Sequence, residues 1–282
     1  MKRLIIRPGA IGDFIVSIPA LQCLRAEYLE IWSAPRNVPL AARIAHRARS
    51  IADTGLDLLE LTGPSDRLLE ALRGFDSIVS WYGAGRPEFR EAVATLRLPF
   101  QFLAALPPAV CGSHSSHAAD FYLEQARGVA GTAPCASDGI PRIACDAIRG
   151  GFAAIHPFAG SPKKRWPLEL FQELARWLAG RMPVEWCAGP EDDLPGARRF
   201  EDLYELACWL AGARIYIGND SGPTHLAAAV GTPVVALFGP TDPAVWAPRG
   251  PHVALAVAPA LDSITVERVA GLVRNMLENV RP

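Results

Sequence analysis

Lysine is the scarcest charged residue of this chain. The sequence has 28 lysine and arginine residues, but its only lysines are Lys2, Lys163 and Lys164. Because arginine is used almost everywhere else, the adjacent pair at 163 and 164 indicates a place where a compact ammonium is preferred, as at a phosphate. A formal net charge of -1 gives no global basic field, so we predict no nucleic-acid partner.

Long hydrophobic runs are also missing. The most apolar stretch, 227–238, is broken by glycine and proline and falls short of the roughly 20 residues that span a bilayer. The apolar start of the chain is interrupted at once by Arg7-Pro8-Gly9, so we do not expect a signal peptide. The six cysteines form no C-x-x-C pair, and their scatter predicts reduced core thiols in a cytoplasmic protein.

Short apolar runs alternate with helical patterns, which is typical of βαβ units and parallel sheets. The runs predict strands at 3–6, 30–33, 58–61, 77–81, 152–156, 184–188, 214–218 and 233–238. Helices are predicted at 14–26, 39–52, 65–72, 88–96, 117–129, 168–179, 223–230 and 265–279. A proline-containing linker at 131–151 separates the two halves. We therefore predict an α/β protein with two Rossmann-like domains, 1–148 and 149–282, and a cleft between them.

The segment 215–242 carries the strongest pattern and is predicted to form strand, tight loop, helix and strand. Ser221 can cap the helix, and Pro223 suits its first turn. Amides at 221–224 and the helix dipole would then form an anion site suited to a diphosphate. Asp220 would accept hydrogen bonds from sugar hydroxyls, and His225 would reach a phosphate. The alternative is that Asp220 only caps the helix and His225 is structural.

The segment 155–167 leaves a predicted strand and enters a helix. Gly160 and Ser161 could bring backbone amides to phosphate oxygens, and Lys163 and Lys164 add positive charge beside them. A solvated basic loop is the alternative.

The segment 7–14 contains a tight turn after the first strand. Gly9 and Gly12 allow close approach of a ligand, but the spacing is not that of a dinucleotide or ATP loop. Asp13 would stand at the helix start and face the cleft. The alternative is a carboxylate that caps the helix.

Three motifs together resemble glycosyltransferase family 9, the lipopolysaccharide heptosyltransferases. They are Gly12-Asp13, Lys164-x-Trp166-Pro167 and the run Asp220–His225, in this order along the chain. The resemblance implies a GT-B fold with an acceptor-binding first domain and a donor-binding second domain. It also implies an inverting transferase that needs no metal or other cofactor. We expect the closing helix to be able to pack back onto the first domain.

The resemblance also implies roles for individual residues. Asp13 would be the general base and Lys164 would neutralise the donor diphosphate. Glu191 would hold the donor ribose. The other donor-binding positions would be Gly160, Ser161, Lys163, Asp220, Ser221, Gly222, Thr224 and His225. The donor would be ADP-heptose or another nucleotide-diphosphate sugar, and the acceptor a lipid-linked saccharide of the lipopolysaccharide core. The enzyme would be cytoplasmic, with peripheral contact at the inner face of the inner membrane.

Two further features bear on the acceptor and on metal. Arg43 and Arg47 are four residues apart on a predicted helix, so they would share one face and could recognise an anionic acceptor, or form a solvated face. No Asp-x-Asp motif occurs, and the His114-x-x-His117 pair has no convincing further ligand. We predict no metal site.

The sequence is also compatible with two other functions. Between Glu191 and Leu206 the chain is shorter than the family pattern, in a region that normally helps to bind the base. A family relative with another donor or a non-lipopolysaccharide acceptor is therefore a second hypothesis. A third is a nucleotide-sugar-binding protein that has lost catalysis, which Asp13 argues against.

Overall fold

The computed structural model describes residues 1–108, 116–131, 135–146 and 150–280. The chain divides into two compact units, Met1–Gly139 (unit 1) and Ile140–Pro282 (unit 2). The division falls inside the predicted linker. Within the described ranges, every helix is too short or too polar to traverse a lipid bilayer.

Unit 1 is built on a parallel sheet of five strands: Lys2–Arg7 (β1), Tyr28–Ser33 (β2), Arg47–Ser50 (β3), Ser77–Ser80 (β4) and Phe100–Phe102 (β5). The strand order is β3-β2-β1-β4-β5, with β1 at the centre. Leu4, Ile5 and Ile6 are fully buried, because a central parallel strand is covered on both faces.

The helices of unit 1 connect and cover these strands. They are Ile11–Cys23 (α1), Val38–Ala41 (α2), Leu59–Thr62 (α3), Asp66–Arg73 (α4), Pro87–Thr95 (α5) and Ala118–Ala130 (α6). The helices α1 and α6 pack against each other. The predictions of α1, α4, α5 and α6 are confirmed within a few residues.

The predicted helix at 39–52 is wrong. The short helix α2 ends at Ala41, and Arg47–Ser50 pairs as an edge strand with β2. Glu30 of β2 lies 3.8 Å from the guanidinium of Arg49. The local sequence, rich in alanine and arginine, favours helix, but pairing with the exposed edge of β2 outweighs that weak preference.

The predicted strand at 58–61 is also wrong. Gly55, at φ +74, begins a turn of 3₁₀ helix that continues into α3. Leu56 and Leu59 are buried, whereas Leu58 and Leu61 are exposed. A spacing of three between buried leucines is helical, and so short an apolar run cannot distinguish the two periods.

Unit 2 has a second parallel sheet, with strands Ala153–His156 (β6), Val184–Trp186 (β7), Ile215–Asn219 (β8), Val234–Phe238 (β9) and Val253–Val257 (β10). Their order is β10-β9-β8-β6-β7. The helices are Leu168–Ala179 (α7), Leu203–Ala211 (α8), Gly222–Ala229 (α9), Pro243–Trp246 (α10) and Val266–Asn279 (α11). Helix α11 packs on α7 and on the β9–β10 side of the sheet. The α/β class and the paired parallel sheets are confirmed, whereas β3, β5, β10, α8 and α10 were not predicted.

The cysteines depart from the prediction. Cys23, at the end of α1, forms a disulfide with Cys135, and their Cα atoms lie 5.0 Å apart. The prediction of reduced thiols is wrong for this pair, which is separated by 112 positions along the chain. Helix α1, which carries Cys23, packs on α6, the helix that precedes Cys135 in the chain. Cys187 does match the prediction, since it is buried and burial raises the pKa of its thiol. Cys111 lies outside the described residues.

Candidate active site

Each sheet has one topological switch point. In unit 1 the chain adds β2 and β3 on one side of β1 and then places β4 on the other side. In unit 2 it places β7 on one side of β6 and β8 on the other. Ligands of open α/β sheets bind outside the carboxyl ends of the strands at such points. The three motif segments follow β1, β6 and β8, so the sequence places them at the two expected binding positions.

In unit 2, an ion pair joins the segment after β6 to the segment after β8. The Nζ of Lys164 lies 2.7 Å from the Oδ2 of Asp220. The lysine side chain is 36% exposed and the aspartate 8%. Two residues that are 56 positions apart thus meet at the switch point. Their direct pairing was not predicted.

The carboxylate of Asp220 is strongly acidic in this setting. Burial raises its pKa, but contacts with His225, Lys164 and Thr241 outweigh burial and bring the pKa to about 2. The Nε2 of His225 lies 3.9 Å from the Oδ1 of Asp220. Asp220 is therefore ionised at neutral pH, and its charge holds the ammonium of Lys164 at the carboxyl edge of the sheet.

Helix α9 begins directly after this carboxylate. Ser221 is its N-cap residue, but the serine side chain makes no capping hydrogen bond to the backbone. Instead its Oγ lies 3.1 Å from the Oγ1 of Thr224. Thr224 is fully buried, and its amide donates to the carbonyl of Ser221. Pro223 has no N–H, so the amides of Ser221 and Gly222 are the ones that precede the first bond of the helix.

The loop after β6 presents its polar groups at the same edge. Gly160 is exposed, and a Cβ built on it would meet no atom within 4 Å. Ser161 is half-buried and its carbonyl accepts from the amide of Lys164 in a single turn of 3₁₀ helix. Lys163 is exposed. This arrangement leaves open space and a second cation beside the Lys164–Asp220 pair.

In unit 1, Asp13 lies in the first turn of α1 at the switch point between β1 and β4. The N-cap is Ala10, so Asp13 is not a capping residue. Gly12 precedes it inside the helix. Gly9, at φ +130, makes the turn, and a Cβ there would lie 3.6 Å from the Oδ2 of Asp13. Backbone close to the carboxylate therefore lacks a side chain that would cover it.

A cavity of about 380 Å³ opens beside Asp13 in unit 1. It is lined by residues of two loops, 7–13 after β1 and 81–86 after β4, and by Ala105 and Leu106. Arg7 is 3% exposed; its Nη2 donates to the carbonyl of Asp13 at 3.1 Å, and its guanidinium lies 4.5 Å from the ring centre of Tyr122. The cavity is thus lined by the Asp13 carboxylate, the buried Arg7 and the aromatic side chains of Trp81 and Tyr82.

Comparison with known proteins assigns the chain to a family. The family model described as glycosyltransferase family 9 (heptosyltransferase) matches residues 123–268, more than half of the chain. The chain belongs to glycosyltransferase family 9. Lipopolysaccharide heptosyltransferase 3 of Escherichia coli K12 is 48% identical over a stretch covering 36% of this chain and 34% of that protein. The match therefore spans about a third of the length of this curated relative.

Solved structures of family 9 proteins share the fold over the whole chain. The structure of E. coli ADP-heptose lps heptosyltransferase II is 20% identical, with a TM-score of 0.72 and 99% coverage of both chains. A family 9 glycosyl transferase from Veillonella parvula is 17% identical, with a TM-score of 0.76, over 99% of this chain and 98% of the other. The fold is accordingly GT-B, with two parallel-sheet α/β domains.

The residue predicted to hold the donor ribose is not engaged within the part of the chain that the structure describes. Glu191 is exposed in a turn after β7. Its neighbour Asp192 is the engaged carboxylate, since Oδ2 accepts from the amide of Gly189 at 2.9 Å and Oδ1 lies 3.9 Å from the Nη2 of Arg165. Between 188 and 202 the described chain has turns and one isolated bridge rather than a helix and a strand.

The two arginines predicted on the acceptor side do not share a helix. Arg43 lies in the turn after α2, and Arg47 begins β3, so they do not share a helix face. Both are exposed. The assumed helix was wrong for the reason given above, and neither arginine lines the cavity beside Asp13. The cavity's arginines are Arg7 and Arg86 instead.

Several residues at these positions were missed by the sequence analysis. Trp81 follows β4, is 2% exposed and lines the cavity, and its Nε1 has no hydrogen-bond partner among the described residues. Asn219 ends β8 and is fully buried beside Asp220. Both residues lie at or just after the end of a strand beside the switch point, and this position could have predicted them. The switch point, however, can be located only when the strand order is known.

Of the histidine pair His114 and His117, considered above as possible metal ligands, His117 has a structural role. The Nδ1 of His117 accepts from the amide of Ala119 and caps α6. His114 lies outside the described residues. Within the described ranges, no group of three or more histidine, cysteine, aspartate and glutamate side chains is placed to hold a metal ion.

Proposed function

We propose that this family 9 protein is an inverting, metal-independent glycosyltransferase that moves heptose from ADP-heptose to a lipopolysaccharide core-type acceptor. The first domain, 1–148, would bind the acceptor, and the second, 149–282, the donor. This rests on one observation: the two sets of motif residues stand at the switch points of two separate sheets. Two binding positions suit an enzyme that holds two substrates at once.

The donor would bind in unit 2. Lys164 and the amides of Ser221 and Gly222 would contact the diphosphate, with Gly160, Ser161 and Lys163 on the other side of it. Asp220 and His225 would contact the donor as well as each other, while the buried Thr224 would support the turn from behind. The positive end of α9 and the ammonium of Lys164 would stabilise the charge that develops on the departing ADP.

The acceptor would bind in the unit 1 cavity. The carboxylate of Asp13 would remove the proton from the acceptor hydroxyl while that oxygen attacks the anomeric carbon of the heptose. The bond from that carbon to the diphosphate would break with its electron pair going to the phosphate oxygen. Because the attack comes opposite the leaving group, the configuration inverts. Buried Arg7 would keep the turn that carries Asp13 in place.

The region after β7, which would meet the base of the donor, supports a second candidate. It has no helix-plus-strand unit among its described residues. A donor with another base is therefore the alternative, as is a saccharide acceptor outside lipopolysaccharide. The solved E. coli relative with the same fold is an ADP-heptose lps heptosyltransferase, which favours adenine.

A donor screen with product detection separates these candidates. The protein would be incubated with ADP-heptose, UDP-sugars or GDP-sugars and with lipopolysaccharide from a heptose-deficient bacterium. We expect product only with ADP-heptose. Product with a UDP- or GDP-sugar alone would establish the alternative, and binding without any product would indicate a protein that has lost catalysis. The acceptor carries lipid, so we further propose peripheral contact with the inner face of the inner membrane.

Asp13→Ala tests the assignment of the base. We expect transfer to fall by about a thousandfold or more, within the range that general-base catalysis contributes, while donor affinity changes only a few-fold. Asp66→Ala is the matched control, because Asp66 also lies in the first turn of a helix but does not line the cavity. Wild-type transfer by the Asp13 variant would show that another group takes the proton.

A further inference from the structure

We propose that Asn219 is a positioning residue that holds the 157–166 loop in place, so that Lys164 remains at the diphosphate position. The inference deepens the proposed function, on which it rests. It concerns a residue whose side chain hydrogen-bonds to Trp166 and Pro157 rather than to Lys164 or Asp220. Its evidence is a pair of buried hydrogen bonds from one side chain to the two ends of that loop.

The amide of Asn219 joins both ends of the loop to the end of β8. Its Oδ1 accepts from the backbone N–H of Trp166 at 2.9 Å, and its Nδ2 donates to the carbonyl of Pro157 at 2.8 Å. Both bonds are buried. Since one partner can only donate and the other only accept, the orientation of the amide is fixed. Only a side chain with one donor and one acceptor in this geometry satisfies both ends.

Trp166 anchors the far end of the loop in the core. The indole is 1% exposed, its Nε1 donates to the carbonyl of Ile264 at 2.9 Å, and its ring centre lies 4.8 Å from that of Phe171. Lys164 is two residues before this anchor. Its backbone is therefore confined from one side by Trp166 and from the other by the bond to Pro157.

Asn219 and Asp220 are adjacent at the end of β8, so this one point of the chain holds both the backbone of the 157–166 loop and the charged end of Lys164. Asn219 fixes the backbone of the loop, and Asp220 holds the ammonium at 2.7 Å. A flexible lysine loses rotamer freedom when it binds a phosphate. Holding its backbone and its charged end before the donor arrives reduces that cost. Asn219 would thus act on donor binding through Lys164.

Chemical labelling of lysines measures how firmly Lys164 is held, and it does not depend on catalysis. The 282-residue chain is treated briefly with an amine-acylating reagent, and the rates at Lys163 and Lys164 are compared by peptide mass spectrometry. Lys163 is exposed in the same loop and serves as an internal reference. In the wild type Lys164 should react more slowly, because its side chain is partly buried and its Nζ is held 2.7 Å from the carboxylate of Asp220, away from the reagent.

Asn219→Ala should bring the two labelling rates close together. Steady-state kinetics with ADP-heptose should then show a donor KM raised by about tenfold, the effect of losing roughly two net hydrogen bonds, with the acceptor KM unchanged. Asn219→Ser, which keeps a small polar group but cannot span both ends, supplies the same comparison if the alanine variant does not fold.

Thr232→Val is the matched control. It removes one buried hydrogen bond of unit 2, from Thr232 Oγ1 to the carbonyl of Leu210 at 2.7 Å, at a position between α9 and β9. This variant should lose stability but keep the wild-type labelling ratio. A wild-type ratio in a folded Asn219 variant, or an equal change in the Thr232 variant, overturns the proposal. Absence of transfer by the wild type would instead refute the proposed function and leave the labelling result standing.

Discussion

His156 shows how burial sets the protonation state of a single residue near the proposed donor site. It ends β6 and is 6% exposed, and its Nδ1 has no hydrogen-bond partner among the described residues. Burial lowers its pKa to about 4; Asp192 opposes this shift and Arg165 adds to it. The imidazole is therefore neutral at the pH where the enzyme would work, even though Asp192 lies nearby.

This lowered pKa predicts a pH-dependent stability. In the unfolded chain the histidine binds a proton near its ordinary pKa of about 6.5, whereas the folded protein does not until about pH 4. The unfolded state thus holds more protons between these values, and stability falls as the pH is lowered through this window. The contribution amounts to about 3 kcal/mol of unfolding free energy between pH 7 and pH 4.

Chemical denaturation of the His156→Phe variant at several pH values tests the predicted pH dependence of stability. We expect the variant to lose less unfolding free energy than the wild type between pH 7 and pH 4. His252→Phe, at a half-buried histidine, is the control and should follow the wild type closely. Parallel pH dependence of the wild type and the His156 variant would contradict the assignment.

The loop between β4 and α5 is the element that forms the wall of the proposed acceptor cavity. It contains Gly83 and Gly85, which have different surroundings. Gly83 has φ +72, and a Cβ built there would collide with the ring of Phe89, a fully buried residue. Gly85 would meet no atom within 4 Å. The first glycine is required by packing and conformation, and the second is not.

Gly83→Ala should therefore destabilise the protein by about 2 kcal/mol or more, since strain from positive φ adds to overpacking. The shifted loop should also raise the acceptor KM while leaving the donor KM unchanged. Gly85→Ala is the matched control, and its stability and acceptor KM should be close to those of the wild type. Denaturation midpoints and kinetics of the two variants provide the measurement, and equal behaviour of the two would show that the loop is not held as described.

At the scale of the whole molecule, the two units are expected to respond to different ligands. Hydrogen exchange followed by mass spectrometry can report each unit separately. ADP should slow exchange in 157–166 and 219–225, whereas de-acylated lipopolysaccharide from a heptose-deficient bacterium should slow it in 7–13 and 81–86. UDP is the matched ligand control. Protection of unit 1 alone by ADP would reverse the proposed assignment of the domains.

The sequence by itself determined much of this protein. Apolar runs separated by helical patterns predicted most of the central strands, because a strand buried on both faces must be apolar along its length. Asp13, Lys164 and Asp220 were predicted as site residues from their motifs and from the resemblance to family 9. The scarcity of lysine elsewhere in the chain predicted a phosphate site at the loop that carries Lys163 and Lys164. Edge strands such as β3 were missed because they are only half-buried, so their sequences carry little of that signal.

The tertiary structure decided which residues meet. The Lys164–Asp220 pair, the buried bridge from Asn219 to Pro157 and Trp166, and the Cys23–Cys135 disulfide all join residues far apart in the chain. Strand order sets such contacts, and it depends on the packing of whole elements rather than on any local pattern. For the same reason the cavity beside Asp13 was invisible in the sequence, because its walls come from two loops that become neighbours only when β4 pairs with β1.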